Sequence, residues 1–375
     1  MNRAVATTAD FWREAIMFAT IALLGLGFVM ALSLDGPVRG VVPALSARAT
    51  RLLFAMAAFC IGFYLRLDRL RQWVLPLYIS ALFLCLVPRA LGDDTNGAYR
   101  WINVGAESFQ PVELLKVLVV LATAEVLVRR RALLHSFADG VLPVIAVPVS
   151  AAIVLLSQPD LGHAFFLVSV CGVLILVGGL RARHSLLLMA SGALALRLAL
   201  GMFGHSRSRL AEFTSGEPGF QLGRSLAAFA EGGVGGTGLG QGWMARGYLP
   251  EARNDFVLAI IGNELGIIGS VLVIGLFGVF GWAAMRIAAS ARCRYELLVA
   301  CGLGLTIVLQ ACINILGVTF TIPEKGIDLP FLSSGGTNLV CALGSVGILC
   351  NIARASAGTK GDQGRAVFDQ GRAEA

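Results

Sequence analysis

The sequence predicts an all-α polytopic membrane protein with about ten transmembrane helices. Of its 375 residues, 57% are hydrophobic and 14% are charged, whereas a soluble domain carries about 25% charged residues. The mean hydropathy of +0.78 agrees with this prediction. A helix needs about 20 residues to cross the hydrocarbon layer, so ten crossings use roughly 200 residues. The remainder is loops and tails, and no large soluble domain fits unless one loop takes most of it.

Ten apolar segments follow one another along the chain. The first is too long for the apolar part of a secretory signal, so we expect it to remain as a span. The segments are 16–34, 52–65, 73–87, 112–128, 141–156, 164–180, 186–203, 256–284, 297–318 and 339–352. Because ten is an even number, both termini should lie on the same side of the membrane.

Basic residues indicate which side that is. Arginines cluster in every second short connection, around residues 66–71, 129–131, 181–183 and 286–294. Such loops are typically cytoplasmic. The sequence therefore predicts a multi-pass membrane protein with both termini in the cytoplasm. The net charge of +7 is explained by these loops, and no nucleic-acid partner is predicted.

The predicted organisation has three parts: a cytoplasmic tail (1–15), a transmembrane domain (16–352) and a disordered cytoplasmic tail (353–375). Residues 204–255 form a long extracytoplasmic loop, and loops of this length are usually functional or disordered. Its glycine-rich part, 232–240, lacks helical periodicity. Just upstream, apolar residues from Phe220 to Phe229 follow an amphipathic pattern. This pattern predicts a short interfacial helix.

Two charged residues lie inside the fourth predicted span. Glu113 and Lys116 are three apart, so they share one helix face and can pair. Ionisable groups in a membrane are expensive and usually functional. The pair either fixes helix packing or shapes a reaction cavity, and the sequence favours neither.

Asp255 stands where the long loop enters the eighth predicted span. A partly desolvated carboxylate can serve as a general base, but an aspartate at a helix start can also be an N-cap. Glu264 lies nine residues further on, about 13 Å along a helix, and cannot contact it. The sequence offers no obvious second carboxylate beside Asp255.

Two other polar segments lie on the predicted outer side. Residues 323–336 enter the last span between prolines, where Lys325 and exposed backbone N–H groups can hold a diphosphate. A tight turn that needs small residues for packing is the alternative. Residues 158–162 form a turn and a helix start that Asp160 can cap.

Five motifs, in order, resemble the SEDS family of cell-wall proteins, which includes FtsW, RodA and SpoVE. They are NGAYRWIN (96–103), FQPVELLK (109–116), QPDLG (158–162), the glycine segment with YLPEA (232–240 and 248–252) and LPFLSSGG (329–336). The resemblance covers residues 96 to about 354. The sequence PEKG before LPF is more similar to FtsW than to RodA.

This resemblance implies a peptidoglycan glycosyltransferase on the outer face of the bacterial cytoplasmic membrane. Its substrates would be lipid II and the undecaprenyl-diphosphate-linked glycan, which it would polymerise with inversion at the anomeric carbon. It implies that Asp255 is the catalytic base, and that a class B penicillin-binding protein and other divisome or elongasome proteins are partners. The motifs imply further substrate-binding residues, which are Arg100, Trp101, Glu113, Lys116, Gln158, Asp160, Arg246, Glu251, Lys325, Ser333, Ser334, Gly335 and Gly336. No organic cofactor is implied, and a divalent cation (Mg²⁺ or Mn²⁺) stays open.

Three departures from the family pattern keep alternatives open. Arg253 stands where the family usually has histidine, Asn263 replaces a glutamate, and Ser334 replaces a tyrosine. A guanidinium near Asp255 would keep that carboxylate ionised. The alternatives are a lipid II flippase and a catalytically silent scaffold for the division machinery. A flippase should show internal repeats with paired broken helices, and the halves show no convincing similarity.

Overall fold

The computed structural model describes residues 2–91, 99–104, 107–180, 184, 192, 204–242 and 255–373. The described part of the chain is almost entirely helical, which confirms the predicted all-α class. Its helices are α1 (Asn2–Arg39), α2 (Val41–Tyr64), α3 (Leu67–Leu91), α4 (Pro111–Arg129), α5 (Leu142–Ser157), α6 (Leu161–Val177), α7 (Gly204–Ser215), α8 (Phe220–Gly232), α9 (Val257–Glu264), α10 (Gly266–Ser290), α11 (Arg294–Val318) and α12 (Gly336–Ala373).

One small hairpin interrupts the helices. Strands β1 (Ile102–Val104) and β2 (Glu107–Phe109) pair antiparallel, with Asn103 opposite Ser108. The hairpin leads directly into α4, whose first residue is Pro111. Proline suits this position because its missing N–H would have no partner in the first turn.

Seven stretches among the described residues are long and apolar enough to cross a membrane, and they lie in α1, α2, α3, the 137–157 region, α10, α11 and α12. Helix α6 is apolar but shorter, and α4 has 19 residues including Glu113, Lys116 and Glu125. The predicted span 186–203 lies outside the described residues apart from residue 192.

The predicted continuous span 256–284 is wrong, because the structure breaks it between α9 and α10. Gly266 adopts a positive φ of 69° at the break, a conformation that costs little only for glycine. A β-carbon on Gly266 would lie 2.4 Å from the carbonyl oxygen of Val234. The glycine segment (residues 232–240) therefore packs into the break.

The middle of the bundle is formed by α4 and α11. Val119 and Val120 of α4 and Leu303 of α11 are fully buried. By contrast, α2 and α3 expose large apolar side chains such as Phe54 and Phe83, as expected for helices that face lipid.

Two predicted loop features can be compared with the structure. A helix is present where the sequence predicts one from Phe220 to Phe229, as α8; its interfacial position stays a prediction. Helix α12 continues to Ala373, through the segment for which the sequence predicts a disordered tail.

Candidate active site

The ion pair predicted in α4 is present and enclosed. Lys116 Nζ lies 2.7 Å from Glu113 Oε1, and both side chains are buried. Lys116 also donates to Gln310 Oε1 of α11 at 3.0 Å and lies over the Phe166 ring of α6. Since the ammonium group is held by three helices, this geometry favours a packing role over direct contact with a substrate.

Two amide side chains on α11 extend the polar network from Lys116 to the turn that follows this helix. Gln310 Nε2 donates to the carbonyl oxygen of Asp328 at 2.9 Å. One helical turn later, Asn314 Nδ2 donates to the carbonyl oxygens of Asp255 at 2.7 Å and Ile327 at 2.8 Å. A single face of α11 therefore fixes the backbone at Asp255 and in the turn that follows this helix.

Asp255 does not cap the following helix. The N-cap of α9 is Phe256, without a side-chain cap bond, which argues against the N-cap alternative. The Asp328 carboxyl group lies close enough to the Asp255 side chain for this contact to lower the pKa of Asp328. The expectation that no second carboxylate lies beside Asp255 is therefore wrong, because the turn after α11 brings Asp328 to it.

Gly335 makes room for Asp328. A β-carbon at Gly335 would lie 2.4 Å from Asp328 Oδ2, which is closer than any real contact of that kind. Loss of water around Asp328 raises the pKa of its carboxyl group, and the charge of Glu113 raises it further, against smaller opposite effects of Asp255, Lys116 and His163.

Asp255 lines a cleft together with Lys325. The walls are Asp255, Ile313, Asn314, Gly317, Val318, Glu324, Lys325, Gly326 and Ile327. Arg209 of α7 donates to the carbonyl oxygen of Glu324 at 3.2 Å. Burial lowers the pKa of Lys325, and the charge of Arg209 lowers it further. Lys325 and the acidic Glu324 both line the cleft that holds the predicted base, and Arg209 lies beside it. An anion bound there would stabilise the charged form of Lys325.

A second polar group lies at the start of α6. Asp160 is the N-cap of this helix and accepts from the backbone N–H of His163, which confirms its predicted capping role. Its carboxylate also pairs with Arg100 Nε at 3.2 Å and His163 Nδ1 at 2.9 Å. Burial alone would raise the pKa of Asp160, but His163 and Arg100 together bring it well below its usual range.

This second group is in contact with the turn that carries Lys325. A β-carbon on Gly162 would lie 3.0 Å from the carbonyl oxygen of Lys325. The structure therefore places Arg100 and Asp160 near the turn that carries Lys325. The NGAYRWIN, QPDLG and LPF motifs meet at one end of the bundle.

Two arginines of α2 hydrogen-bond to the backbone in and next to residues 333–336. Buried Arg48 donates to the carbonyl oxygens of Ser333 at 2.9 Å and Phe331 at 3.3 Å. Arg51 donates to the carbonyl oxygen of Ser334 at 2.9 Å. Because these arginines fix carbonyl groups, Ser333 to Gly336 form a braced turn. Sequence reasoning missed both arginines.

The glycine segment stabilises the helix break. The backbone N–H groups of Thr237 and Gly238 donate to the carbonyl oxygens of Asn263 and Glu264 at 2.9 and 3.0 Å. Glu264 accepts from Ser33 of α1, so it does not reach Asp255, as the sequence predicts. These contacts give the segment a structural role.

The remaining predicted site residues are less informative. Trp101 is partly exposed before β1, and the Gln158 amide donates to the carbonyl oxygen of Cys85. Arg246 and Glu251 lie outside the described residues. Within those residues no group of three or more His, Cys, Asp or Glu side chains is placed to hold a metal ion, and a divalent-cation requirement stays a prediction.

Sequence reasoning missed Asp328, Gln310, Asn314, Arg209 and His163. A signal existed for Gln310 and Asn314, since two amides four residues apart in an apolar span share one face. Asp328 lay within a recognised segment, but nothing local indicated its partner.

Together these features define a polytopic helical membrane protein whose acidic site opens beside cationic side chains at one end of the bundle. The chain belongs to the FtsW/RodA/SpoVE family: the family model described as "Cell cycle protein" matches residues 14–358.

Named relatives cover most of the chain. It is 38% identical over 297 residues to stage V sporulation protein E of Bacillus subtilis, covering 76% of this chain and 80% of that protein. It is 34% identical over 358 residues to the probable peptidoglycan glycosyltransferase FtsW of Tolumonas auensis, covering 92% of each.

Solved structures share the fold. A chain from a peptidoglycan synthase complex, described as coordinating polymerization and crosslinking, superimposes with a TM-score of 0.76 at 26% identity, over 91% of this chain and 97% of that one. The rod shape determining protein RodA of Thermus thermophilus gives a TM-score of 0.65 at 24% identity, over 90% and 95%; at this identity the likeness concerns the fold alone.

Proposed function

We propose that this protein is a peptidoglycan glycosyltransferase that polymerises lipid II on the outer face of the cytoplasmic membrane, with Asp255 as the general base. One observation carries the role of Asp255: its side chain caps no helix and lines a cleft beside Lys325. The relatives named as peptidoglycan glycosyltransferases support the activity.

In this mechanism Asp255 accepts the proton of the acceptor sugar's 4-hydroxyl group. The oxygen attacks the anomeric carbon of the growing chain, the bond to undecaprenyl diphosphate breaks, and the configuration inverts. A base within hydrogen-bond reach of the reacting hydroxyl is the geometric requirement. Lys325 supplies positive charge in the same cleft, where the leaving diphosphate gains negative charge.

The glycan polymer needs crosslinking, for which we propose a class B penicillin-binding protein as partner. The structural likeness to a chain of a peptidoglycan synthase complex supports a shared assembly. Division and elongation are both compatible with the relatives, and the PEKG segment favours an FtsW-like division role.

Lipid II polymerisation by the purified full-length chain, with the class B penicillin-binding protein of the same organism, tests this function. We expect glycan strands from wild type and none from Asp255→Ala. Asp139→Ala is the control, because Asp139 is an exposed aspartate in the short π-helix Phe137–Val141 between α4 and α5. Equal polymer from Asp255→Ala and wild type would refute the base assignment.

The two alternatives give different results in the same preparation. A flippase would move labelled lipid II across the vesicle membrane without forming polymer. A silent scaffold would bind the penicillin-binding protein while neither wild type nor Asp255→Ala adds polymer to that made by the partner alone.

A further inference from the structure

Helix α7 packs on the turn that follows α11 through two of its side chains. Arg209 Nη1 donates to the carbonyl oxygen of Glu324 at 3.2 Å. The Phe213 ring meets the Phe320 ring edge-on, with the ring centroids 5.4 Å apart. Residues four apart lie on one face of a helix. This face of α7 therefore contacts both ends of the turn that carries Lys325.

The turn begins in a backbone conformation that needs support. Phe320 has a φ of 56°, and a positive φ is uncommon for a bulky residue. Such strained positions persist only where the surrounding structure holds them, and they cluster at functional sites. Here the backbone N–H of Phe320 donates to the carbonyl oxygen of Gly317 at 3.1 Å, and its ring packs on Phe213. The packing of α7 is therefore part of what fixes this turn.

The guanidinium group of Arg209 and the carboxylate of the proposed base lie around the same glycine. A β-carbon on Gly326 would lie 3.4 Å from Asp255 Oδ2 and 3.8 Å from Arg209 Nη1. Gly326 lines the cleft together with Asp255 and Lys325. Because Gly326 has no side chain, it does not separate the two groups. Arg209 therefore stands at the edge of the cleft that holds Asp255.

Most of the hydrogen-bonding capacity of Arg209 is unused. A guanidinium group has five N–H donors. Within the part of the chain that the structure describes, Arg209 makes one hydrogen bond, to the carbonyl oxygen of Glu324, and no ion pair. The Glu324 side chain also lines the cleft, but burial raises the pKa of its carboxyl group and so favours its neutral form. Arg209 thus has charge and donors available for an anion in the cleft.

We propose that Arg209 binds the diphosphate group that links the growing glycan to its lipid carrier. The proposal rests on the proposed function and adds a substrate contact on α7 to it. Arginine forms paired, charge-assisted hydrogen bonds with phosphate oxygens, which lysine cannot form as a point charge. Lys325 lines the same cleft and supplies a second cation.

The role of Arg209 in the reaction follows from where the charge goes. When the bond between the anomeric carbon and the diphosphate oxygen breaks, its electron pair stays on that oxygen. The diphosphate gains one negative charge, and the proton of the attacking hydroxyl group goes to Asp255. Arginine keeps its proton in proteins, so Arg209 transfers none. Its N–H groups stabilise the oxygen on which charge develops.

Binding of undecaprenyl diphosphate to the full-length chain in lipid nanodiscs tests this contact without turnover. Arg209→Gln keeps an N–H donor for the Glu324 carbonyl oxygen but has no charge, whereas Arg209→Lys keeps the charge. We expect Arg209→Gln to weaken binding by roughly tenfold or more, since hydrogen bonds between charged groups are lost. Arg209→Lys should recover part of this loss.

Two controls separate the anion from other effects. Undecaprenol has the same lipid chain without phosphate, and its binding should be equal in wild type and Arg209→Gln. Arg224→Gln removes an arginine from the neighbouring helix α8, where the guanidinium group lies over the Phe220 ring, and it should bind undecaprenyl diphosphate as wild type does. Size-exclusion chromatography and thermal melting confirm that each variant is folded.

Two results would overturn the role of Arg209. One is unchanged undecaprenyl diphosphate binding in folded Arg209→Gln. The other is an equal loss in Arg209→Gln and Arg209→Lys, because the charge would then not matter and Arg209 would only attach α7 to the turn.

Failure of the proposed function gives a different pattern. If wild type makes no polymer, or Asp255→Ala is fully active, while undecaprenyl diphosphate binding still depends on the charge at Arg209, the diphosphate site stands and the polymerase mechanism falls. If wild type makes polymer, Asp255→Ala makes none and binding is the same in wild type and Arg209→Gln, the role of Arg209 alone is removed.

Discussion

A glycine near the proposed base leaves no space for a β-carbon. A β-carbon on Gly335 would lie 2.4 Å from Asp328 Oδ2, so Gly335→Ala must displace the Asp328 carboxyl group. We expect at least a tenfold loss of polymerisation, because small misplacements around a reacting centre are costly. The control is Gly275→Ala in α10, where a β-carbon meets nothing within 4 Å. Equal activity of the two variants would contradict this packing.

The buried ion pair in α4 makes a prediction about stability. Lys116→Met leaves Glu113 buried without its charge partner, which typically costs about 3–5 kcal/mol of unfolding free energy. The double variant Glu113→Gln/Lys116→Met should recover part of this loss, since no uncompensated charge remains. Denaturation of the detergent-solubilised protein measures both.

A surface pair provides the comparison for that experiment. Asp10 and Arg13 form a 3.1 Å pair with side chains that are 43% and 27% exposed. We expect Arg13→Met to change the unfolding free energy by about 1 kcal/mol or less. A larger loss of unfolding free energy in Arg13→Met than in Lys116→Met would contradict the burial of the α4 pair.

Residue identities alone predicted part of this site. The face shared by Glu113 and Lys116 follows from helical spacing, and the cap at Asp160 follows from its place before an apolar run. The Asp255–Asp328 contact could not be predicted this way, because it joins residues far apart in sequence through a turn whose shape depends on Gln310, Asn314 and Gly335.

Helix α10 and the glycine segment behave as one structural element. Gly236 has a φ of 81°, and its β-carbon would lie 2.1 Å from the carbonyl oxygen of Glu264. We expect Gly236→Ala to lower the thermal stability and to expose residues 233–242 to protease, because it separates the segment from the helix break. Gly235→Ala is the matched control, since its β-carbon meets nothing within 4 Å. Identical melting and proteolysis would argue against this structural role.

The sequence predicted the helices well but did not predict the break between α9 and α10. Apolar composition indicated a span over 256–284, since hydropathy averages across a single residue such as Gly266. The break is tolerable only because the chain supplies Thr237 and Gly238 as donors for the carbonyl groups of Asn263 and Glu264. That compensation is a long-range contact and leaves no local signal.

Helix α11 joins the candidate site to the opposite end of the bundle. It has 25 residues and is therefore about 37 Å long. The exposed Cys293 precedes its first turn among arginines, and the exposed Thr321 follows its last turn close to the Asp255 cleft. These two positions lie on opposite sides of a bilayer that α11 crosses.

The predicted orientation can be measured at these two positions. The test is a membrane-impermeant maleimide applied to intact cells. We expect it to label Thr321→Cys in a Cys293→Ser background. We expect Cys293 of the wild-type chain to stay unlabelled until the cells are opened. The Cys293→Ser protein alone measures the labelling of the remaining cysteines. Cys60 and Cys312 are exposed on helices α2 and α11, where lipid excludes the reagent, so we expect this labelling to be low. The reason for the expectation is the arginine-rich loop at Cys293, which the positive-inside rule keeps in the cytoplasm. Labelling of Cys293 in intact cells, with Thr321→Cys protected, would place the Asp255 cleft in the cytoplasm and contradict polymerisation at the outer face.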